Sequence, residues 1–266
     1  MFQHKAQIAW NRMVAPGVFT IGLTCRHGFA HAKPGQFVML RVSDGIEPLL
    51  RRPFSIHKLI AAADRIEGIE LLYKVVGKGT ALLAARRTGE TLDVVGPLGS
   101  SFILPPAARR VFIVAGGMGV APTVFLARQL VANGLIPAQC EVFLGGRTHS
   151  ELLCIQDFAA LGLPVHTTTD DGSAGDRCLV THPVDIALAA RRPDVVFACG
   201  PLPMIDCVIG ITAARGVRCQ VSVETAMACG IGACLGCAVA SRDAPDRYYH
   251  VCLDGPVFDA ASIRFP

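Results

Sequence analysis

The sequence predicts a fold in three parts: a β-rich first domain, an α/β domain built on a parallel sheet, and a cysteine-rich C-terminal region. Short strand-like segments separated by turn residues fill the chain up to about residue 105. Apolar strands then alternate with helical stretches from Val111 onward. Four cysteines near the C-terminus interrupt that alternation. The 266 residues are enough for two compact domains or for one large one.

The composition is that of a folded protein without a strong charge. Hydrophobic residues make up 52% of the chain and charged residues 17%, which supports a full core and argues against disorder. The formal net charge is +4, and no run of basic residues is longer than a pair of arginines, so the sequence does not indicate nucleic-acid binding. The charge supports only a weak preference for anionic ligands.

The longest uncharged run near mid-chain, Val111–Ala127, has about the length of a short membrane crossing. It contains three glycines and Pro122, which suit a strand–loop–helix turn better than a continuous span. The N-terminal residues lack the basic-then-apolar pattern of a signal peptide. The eleven cysteines are an odd number without an export signal. We therefore expect a reduced cytoplasmic protein with one cysteine-ligated centre rather than a disulfide-bonded secreted one.

The first part of the chain reads as a series of short strands, which is typical of a barrel or a sandwich. Pairs such as Pro16-Gly17, Pro34-Gly35 and Gly96-Pro97 mark the turns. The predicted strands are Gln7–Trp10, Val18–Cys25, Gln36–Val42, Pro53–His57, Gly68–Val76 and Thr91–Val95. A helical stretch is predicted at Ala81–Ala85.

After Pro105-Pro106, strand and helix alternate, which predicts a doubly wound parallel sheet. The predicted strands are Val111–Ala115, Glu141–Leu144, Pro164–Thr168, Val195–Ala198 and Gln220–Val223. The predicted helices are Ala121–Asn133, Ser150–Leu161, Pro183–Ala190 and Pro201–Arg215.

The C-terminal cysteines have a characteristic spacing. Cys229-x4-Cys234-x2-Cys237, followed by fourteen residues and Cys252, matches the plant-type [2Fe-2S] ligand pattern. A loop that wraps two irons and two sulfides must point its amide N–H groups at sulfur, so we expect positive-φ conformations at the glycines Gly230, Gly232 and Gly236. The alternatives are a structural zinc site and ordinary buried cysteines. Zinc sites usually pair two short cysteine knuckles, whereas here three ligands crowd together and the fourth stands alone.

Two glycine-containing loops are candidates for a nicotinamide site. The residues Gly116, Gly117, Gly119, Ala121 and Pro122 form a loop between a strand and a helix, where a phosphate can approach the backbone. The alternative is a tight strand–helix turn, since the loop is not a complete G-x-G-x-x-G.

The second such loop is Cys199-Gly200-Pro201, which follows a strand and opens another helix at the same edge of the sheet. The Cys199 thiol would lie beside a nicotinamide ring, or would only pack as a small hydrophobe. Asp170-Asp171 follows a third strand there and either touches the cofactor or forms a turn. Arg147 either meets a 2′-phosphate or is simply exposed to solvent.

Two segments of the β-rich half are candidates for a flavin site. In Arg52-Pro53-Phe54-Ser55 the arginine can neutralise a pyrophosphate, and the serine hydroxyl can reach a flavin ring atom. The residues Gly79 and Thr80 precede the helical stretch, so their amides and the Thr80 hydroxyl are expected to cap that helix and hold a phosphate. Each segment taken alone is also compatible with an ordinary strand or turn.

Together these motifs resemble the ferredoxin–NADP reductase superfamily and, within it, the electron-transfer subunits of class B dihydroorotate dehydrogenases. The resemblance covers essentially the whole chain, and the cluster segment Met227–Cys237 is its most specific part. The other matching residues are Arg52–Ser55, Leu72-Tyr73-Lys74 with Gly79-Thr80, Gly116–Pro122, Cys199-Gly200-Pro201 and Cys252–Phe258.

The resemblance implies an antiparallel β-barrel FAD domain over residues 1–105, an α/β nicotinamide domain over 106–223 and a [2Fe-2S] region over 224–266. It implies that Arg52, Pro53, Phe54, Ser55, Leu72, Tyr73, Lys74, Gly79 and Thr80 contact FAD. It also implies an FMN-containing partner subunit that oxidises dihydroorotate in pyrimidine biosynthesis, and a heterotetramer with two copies of each subunit. Electrons would leave as hydride to NAD, and this chain would hold no orotate site.

There are departures from the family pattern. Thr225-Ala226 stand where the family often has an arginine. The segment Arg242–Tyr249 is either a partner-facing loop or an ordinary surface segment, and Glu224 receives no role. The order of the sites follows from chemistry, because nicotinamide exchanges two electrons, a [2Fe-2S] cluster exchanges one, and a flavin does both. The rival functions are a subunit of another complex, of the NADPH–ferredoxin oxidoreductase or sulfhydrogenase type, and a zinc-stabilised binding module.

Overall fold

A computed structural model describes residues 2–25, 28–62 and 65–265. Six strands close into an antiparallel barrel in the order β1-β2-β5-β4-β3-β6. Their bounds are β1 Phe2–Ala15, β2 Val18–Thr24, β3 Phe37–Arg41, β4 Arg52–Ala62, β5 Arg65–Lys74 and β6 Thr91–Leu98. The six predicted strands are confirmed, and the barrel is the correct one of the two β architectures that the sequence allowed.

The barrel is filled by apolar residues that alternate along its strands. In β6 every second residue is buried, including Leu92 and Val94, and these pack with Ile8, Ile21 and Ile56. The strand β1 is much longer than predicted because it pairs with two neighbours. Its first half lies against β6 and its second half against β2.

The second part is a six-stranded sheet in the order β14-β11-β10-β7-β8-β9, with all pairs parallel except β14. Helices pack on both faces, because the central strands bury side chains on each side. The strands are β7 Val111–Gly116, β8 Cys140–Gly146, β9 Val165–Thr169, β10 Val195–Cys199, β11 Arg218–Ser222 and β14 Val257–Asp259. The helices are α2 Val120–Ala132 and α3 Ile155–Ala159 on one face, and α4 Thr181–Ala190 and α5 Leu202–Ala214 on the other.

One predicted helix is wrong in extent. The stretch Ser150–Leu161 contains a 3-10 turn at His149–Glu151 and the short helix α3, with Cys154 between them. Cys154 has φ 61°, in the left-handed region that interrupts a right-handed helix. Periodicity alone does not reveal such a break, because the apolar positions continue through it.

The C-terminal region is tied to the rest of the chain. Its strands β12 Ala238–Ser241, β13 Tyr248–His250 and β15 Ile263–Arg264 form a small antiparallel sheet. Strand β14 instead pairs with β11 of the large sheet. Ser100, just after the barrel, exchanges hydrogen bonds with the Val257 backbone at 2.8 and 3.2 Å. The domain limits at residues 105 and 223 stay a prediction.

Among the described residues, the structure holds no helix that is long and apolar enough to cross a membrane. The run Val111–Ala127 is instead strand β7, a 3-10 turn at Gly117–Gly119 and the first part of α2. The strand–loop–helix interpretation of this run is therefore confirmed.

Candidate cofactor-binding site

The two glycine loops meet at one place on the sheet edge. Strands β7 and β10 are parallel neighbours, and the chain winds outward from them in opposite directions. The carboxyl ends of such a strand pair form the crevice where doubly wound folds bind ligands. Gly116 ends β7 and Gly117–Gly119 follow it, while Gly200-Pro201 follow β10, so both predicted loops lie at this crevice.

Small residues are needed here because the two loops touch through their backbones. A methyl group at Gly119 would overlap the carbonyl oxygen of Cys199. A methyl group at Gly200 would lie 3.0 Å from the Gly116 amide nitrogen, and one at Gly116 would lie 2.8 Å from the Met204 sulfur. Both glycine loops are therefore held in one position by contact with each other.

A cavity of about 300 Å³ opens beside these loops. It is lined by residues at the carboxyl ends of four strands, β7, β8, β9 and β10. Gly116, Gly117 and Pro201 form one wall, and Arg147 and Asp170 form part of the other. Its further lining residues are Gly145, Gly146, Glu151, Leu179, Val180, Thr181, Pro203, Met204 and Cys207. Open glycine backbone and helix N-termini beside a mostly apolar cavity suit a dinucleotide.

Arg147 is exposed, as the alternative interpretation required, but it is not free. Its Nη2 and Nε lie 2.5 and 3.1 Å from the two Glu151 carboxylate oxygens, and its backbone N–H donates to the same group at 3.1 Å. The Lys74 ammonium lies 3.4 Å from Glu151 on the other side. The Arg147 hydrogen bonds lower the pKa of Glu151 to about 2, so this carboxylate stays charged between the two cations.

A second cavity, also of about 300 Å³, lies between the barrel and the sheet. Pro53, Phe54 and Ser55 line it from β4, and Leu72, Tyr73 and Lys74 line it from the end of β5. The sheet side of the cavity contributes Met118 and Ala121 of the glycine loop and Ser222, Val223, Glu224, Thr225, Met227 and Pro256. Phe37, Val76 and Thr80 complete the lining. The predicted flavin segments and the predicted nicotinamide loop therefore line the same cavity.

The aromatic side of this cavity is fixed by packing. Tyr73 stacks on Phe19 with ring centroids 5.7 Å apart and meets Phe54 edge-on at 5.8 Å. Its hydroxyl donates to Asn11 Oδ1 at 2.9 Å, and Asn11 in turn donates to the Leu83 carbonyl oxygen. Burial raises the pKa of Tyr73 to about 12, so the phenol stays neutral and presents an apolar ring edge.

The residues predicted to hold a phosphate lie at helix α1, Lys78–Ala84. Gly79 is buried against Arg52, whose Nε would be 3.2 Å from a methyl group at that position. Thr80 was expected to precede the helix, but it lies within the first turn. Its hydroxyl accepts the N–H groups of Val76 and Gly77 at 2.9 and 3.2 Å, so it holds the incoming chain.

Cys199 does not line either cavity. Its side chain is buried beside Ser222, and burial, followed by the nearby charge of Glu224, raises the pKa of its thiol above the ordinary range. Ser222 pairs with Cys199 across β10 and β11. The Cys199 thiol therefore lies behind the cavity wall and packs there as a small hydrophobe. Its predicted position beside a nicotinamide ring stays a prediction.

Glu224 is a cavity residue for which no role was predicted. Its side chain is accessible from the flavin-side cavity, while the surrounding protein walls raise the pKa of its carboxyl through loss of solvation. A raised pKa makes the carboxyl easier to protonate, and a carboxyl at this position can form a hydrogen bond within the cavity. The available signal in the sequence was that Glu224 follows closely after strand β11. No neighbouring residue in the sequence indicated which cavity its side chain lines.

The four C-terminal cysteines are brought together in one loop region. Cys237 and Cys252 have sulfur atoms 3.3 Å apart and are buried, whereas Cys234 is exposed. Backbone N–H groups point at the sulfur atoms. Gly232 donates to Cys252 Sγ at 3.1 Å, and Ile231 and Cys234 donate to Cys229 Sγ at 3.4 Å each.

These amides, Ile231 first, lower the pKa of Cys229 to about 6 and so favour its thiolate. The four thiols come from one C-terminal region, and backbone N–H groups point at their sulfur atoms. This donor set fits thiolate-ligated iron. Gly230 and Gly232 have φ of 73° and 80°, as predicted. Gly236 is not in the left-handed region. Leu235 takes that conformation instead, with φ 58°.

The cluster loop lies directly against the barrel and the flavin-side cavity. A methyl group at Gly230 would lie 2.8 Å from the sulfur of Met39, a fully buried residue of β3. Met227 lines the cavity two residues before Cys229. The thiol cluster therefore adjoins the barrel at Met39 and the flavin-side cavity at Met227.

Comparison with known protein families identifies two regions of the chain. Residues 224–264 match the iron-sulfur cluster binding domain of dihydroorotate dehydrogenase B. Residues 113–209 match the oxidoreductase NAD-binding domain. These regions contain the thiol loop and the two glycine loops, respectively.

Known relatives match the chain over nearly its whole length. The chain is 38% identical over 248 residues to the dihydroorotate dehydrogenase B (NAD(+)) electron transfer subunit of Desulforamulus reducens, which covers 92% of each chain. It is 37% identical over 264 residues to the subunit of the same name from Bacillus caldolyticus, which covers 98% of each.

Among solved structures, an NADH-dependent reduced ferredoxin–NADP oxidoreductase that performs flavin-based electron bifurcation is 28% identical, with a TM-score of 0.82 over 97% of this chain and 89% of that chain. Phthalate dioxygenase reductase, with 20% identity and a TM-score of 0.65 over 85% of this chain and 70% of that chain, shares the fold. With relatives this similar over nearly its whole length, the chain belongs to the family of dihydroorotate dehydrogenase B electron transfer subunits.

Proposed function

We propose that this chain is the electron-transfer subunit of an NAD-linked dihydroorotate dehydrogenase and passes electrons between an FMN-containing partner subunit and NAD. The observation that carries the proposal is the unbroken order of three sites in one chain. The thiol loop touches the barrel at Met39, Met227 reaches from that loop into the flavin-side cavity, and Met118 and Ala121 of the glycine loop line the same cavity. The activity belongs to pyrimidine biosynthesis.

The cofactors of this proposal are FAD, a [2Fe-2S] cluster and NAD. When bound, they supply two-electron hydride exchange at the nicotinamide, one-electron exchange at the cluster, and the conversion between the two at the flavin. The ligands of the cluster are Cys229, Cys234, Cys237 and Cys252. The residues that hold FAD are Arg52, Pro53, Phe54, Ser55, Leu72, Tyr73, Lys74, Gly79 and Thr80, and those that hold NAD are Gly116, Gly117, Gly119, Ala121, Pro122, Gly200 and Pro201.

The side chains of these sites act by orientation and by exclusion of water. Arg52 brings a positive charge to the N-terminal end of α1, where a pyrophosphate is neutralised best. Phe54 and Tyr73 fix one wall of the cavity. Glu224 also lines it with a carboxyl whose pKa is raised by loss of solvation. Cys199 supports the glycine loop from behind, through the contact of its carbonyl oxygen with Gly119.

The partner is the FMN-containing catalytic subunit, in a heterotetramer with two copies of each chain. Arg242–Tyr249 is the proposed partner-facing loop, in which the Arg247 guanidinium lies 4.9 Å from the Tyr249 ring centroid and Tyr248 is exposed. A cytoplasmic location suits the eleven cysteines, all of which lie in the described ranges and form no disulfide there. The second candidate partner is a ferredoxin, because a similar solved structure is a reduced ferredoxin–NADP oxidoreductase.

The chain, purified with iron, sulfide and FAD, should reduce a dye with NADH. Together with its FMN-containing partner it should couple dihydroorotate oxidation to NAD reduction. Dye reduction without orotate-linked activity, but with ferredoxin reduction, would favour the second candidate. A colourless protein that holds zinc would contradict both and support a binding module.

Replacing Glu224 with alanine should slow NADH-dependent flavin reduction while FAD stays bound. The variant loses a carboxyl that lines the cavity and can hydrogen-bond there, and one such bond corresponds to about tenfold in rate. Stopped-flow reduction of the bound flavin measures this step directly. Glu224→Gln keeps a donor and should recover part of the rate, whereas equal rates in wild type and Glu224→Ala would show that the carboxyl has no part in it.

Replacing Glu151 with glutamine should raise the use of NADPH relative to NADH several-fold. Glu151 now neutralises Arg147 at the rim of the nucleotide cavity, and its loss leaves a free guanidinium that can meet a 2′-phosphate. The ratio of kcat/KM for the two nucleotides is the measurement. Arg147→Gln in the same background is the control, because it should return the ratio to the wild-type value.

A further inference from the structure

Away from the three sites, a cluster of metal-binding side chain types lies where the barrel meets helix α3. His57 comes from β4, Cys154 directly precedes α3, and Asp157 lies within α3. One nitrogen, one sulfur and one oxygen of these residues all lie within 4.8 Å of one another. Glu70 of β5 adds a carboxylate oxygen 3.9 Å from His57 Nε2. We infer that this cluster is a binding site for a divalent zinc-type cation.

The imidazole is already oriented as a metal ligand. His57 Nδ1 lies 2.9 Å from the carbonyl oxygen of Ala121, which can only accept a hydrogen bond, so Nδ1 carries the proton. The lone pair of Nε2 is then free to bind a cation, and a Glu70 carboxylate oxygen lies 3.9 Å from this nitrogen. A histidine whose second nitrogen is fixed by a carbonyl group is the usual arrangement in zinc sites. Because His57 is 1% exposed, burial also lowers its pKa and favours the neutral ring.

The carboxylates are placed to complete the site. Glu70 accepts a hydrogen bond from Trp10 Nε1 at 3.2 Å through one oxygen, which leaves the other oxygen facing His57. The Lys58 ammonium now lies among these groups, 2.6 Å from Asp157 and 3.4 Å from Glu70. Two carboxylates against one ammonium leave a net negative charge, and the Lys58 side chain, which is 23% exposed, can withdraw to solvent.

A second, independent feature points to a ligand at this place. Thr20 is 6% exposed, and its hydroxyl has no hydrogen-bond partner among the described residues. It lines the same cavity as His57, Glu70, Cys154 and Asp157, with a volume of about 560 Å³. A buried hydroxyl without a partner is costly, and a water molecule bound to the cation would satisfy it.

The donor set selects the type of cation. Thiolate, imidazole and carboxylate together suit zinc, whereas magnesium and calcium prefer oxygen ligands alone. On binding, the Cys154 S–H bond breaks, its proton leaves to solvent, and a metal–sulfur bond forms without oxidation or reduction. The bound cation would link β4 and β5 of the barrel to α3 of the α/β domain. None of the three proposed cofactors makes this link.

The test is equilibrium dialysis of the FAD- and cluster-loaded protein against Zn²⁺, followed by metal analysis and zinc X-ray absorption. Wild type should retain zinc with one sulfur neighbour at about 2.3 Å and lighter neighbours at about 2.0 Å. Cys154→Ser and His57→Gln should weaken binding by at least the roughly tenfold that loss of an outer hydrogen-bond partner alone costs. Cys25→Ser, another partly buried cysteine, is the matched control and should bind like wild type.

Lys58→Met separates a cation site from a simple ion pair and keeps the test valid if the other variants fail to fold. Because the ammonium competes with the metal, its removal should tighten zinc binding, and zinc should raise the Tm of this variant more than that of wild type. Absence of retained zinc in wild type, unchanged binding in Cys154→Ser, or unchanged binding in Lys58→Met would overturn the assignment. A spectrum with four sulfur neighbours would place the zinc at the cluster cysteines and would also overturn it.

Discussion

Replacing Cys234 with serine is expected to abolish electron transfer to the partner subunit while NADH still reduces the flavin of the same protein. Cys234 is the exposed member of the four thiols, so its loss removes a proposed cluster ligand with little effect on packing. Flavin reduction needs only the two cavities, neither of which Cys234 lines. Orotate-linked reduction of NAD by the complex and dye reduction by the isolated chain measure the two halves separately.

Cys178→Ser is the matched control, because this thiol is also accessible but lies outside the cluster and both cavities. It should leave iron, sulfide and both activities unchanged. If the Cys234 variant kept its iron and its partner-linked activity, the ligand assignment would be wrong. If wild type held zinc in place of iron, the electron-transfer proposal as a whole would fail.

Replacing Gly119 with alanine is expected to impair nucleotide use severely and to destabilise the α/β domain. The added methyl group would overlap the Cys199 carbonyl oxygen, which belongs to a rigid strand end and cannot move aside. The glycine loop must therefore shift away from β10. We expect kcat/KM for NADH-dependent dye reduction to fall by more than about tenfold and the free energy of unfolding to fall by about 1–3 kcal/mol.

Gly210→Ala controls for the chemistry of the substitution. Gly210 lies in helix α5 with no atoms within 4 Å of the added methyl group, so the change should leave activity intact and should stabilise the helix by about 0.5–1 kcal/mol. Denaturant unfolding and steady-state kinetics on both variants give the comparison. Equal KM and equal stability in Gly119→Ala and Gly210→Ala would mean that the two loops are not held by this contact.

Much of the fold could be predicted because its signals are local. The barrel strands carry alternating burial and turn pairs, and β7 is an apolar run followed at once by glycines. The sequence could not predict the length of β1, which depends on two partners far apart in the chain. It also could not predict the break at Cys154, where a left-handed residue interrupts an otherwise regular apolar pattern.

The same distinction applies to the site. The four cysteines and the glycine loops are recognised by spacing within a few residues. The role of Glu224 depends on a cavity whose other walls come from β4 and β5, more than a hundred residues away. The cluster around His57 likewise joins β4, β5 and α3, and no motif connects them. Side chains that become neighbours only through tertiary structure leave no local trace in the sequence.

The pairing of β14 with β11 has a consequence for the order in which the protein matures. Both ends of the segment between Ser222 and Val257 are fastened to the same sheet edge, and Ser100 secures the later end. All four cysteines lie within this closed segment. The pairing of β11 with β14 offsets the entropy lost when the ends of the segment are brought together. During synthesis the edge of β11 stays open until β14 has emerged, so the outline of the proposed cluster loop is closed only after all four cysteines have been made.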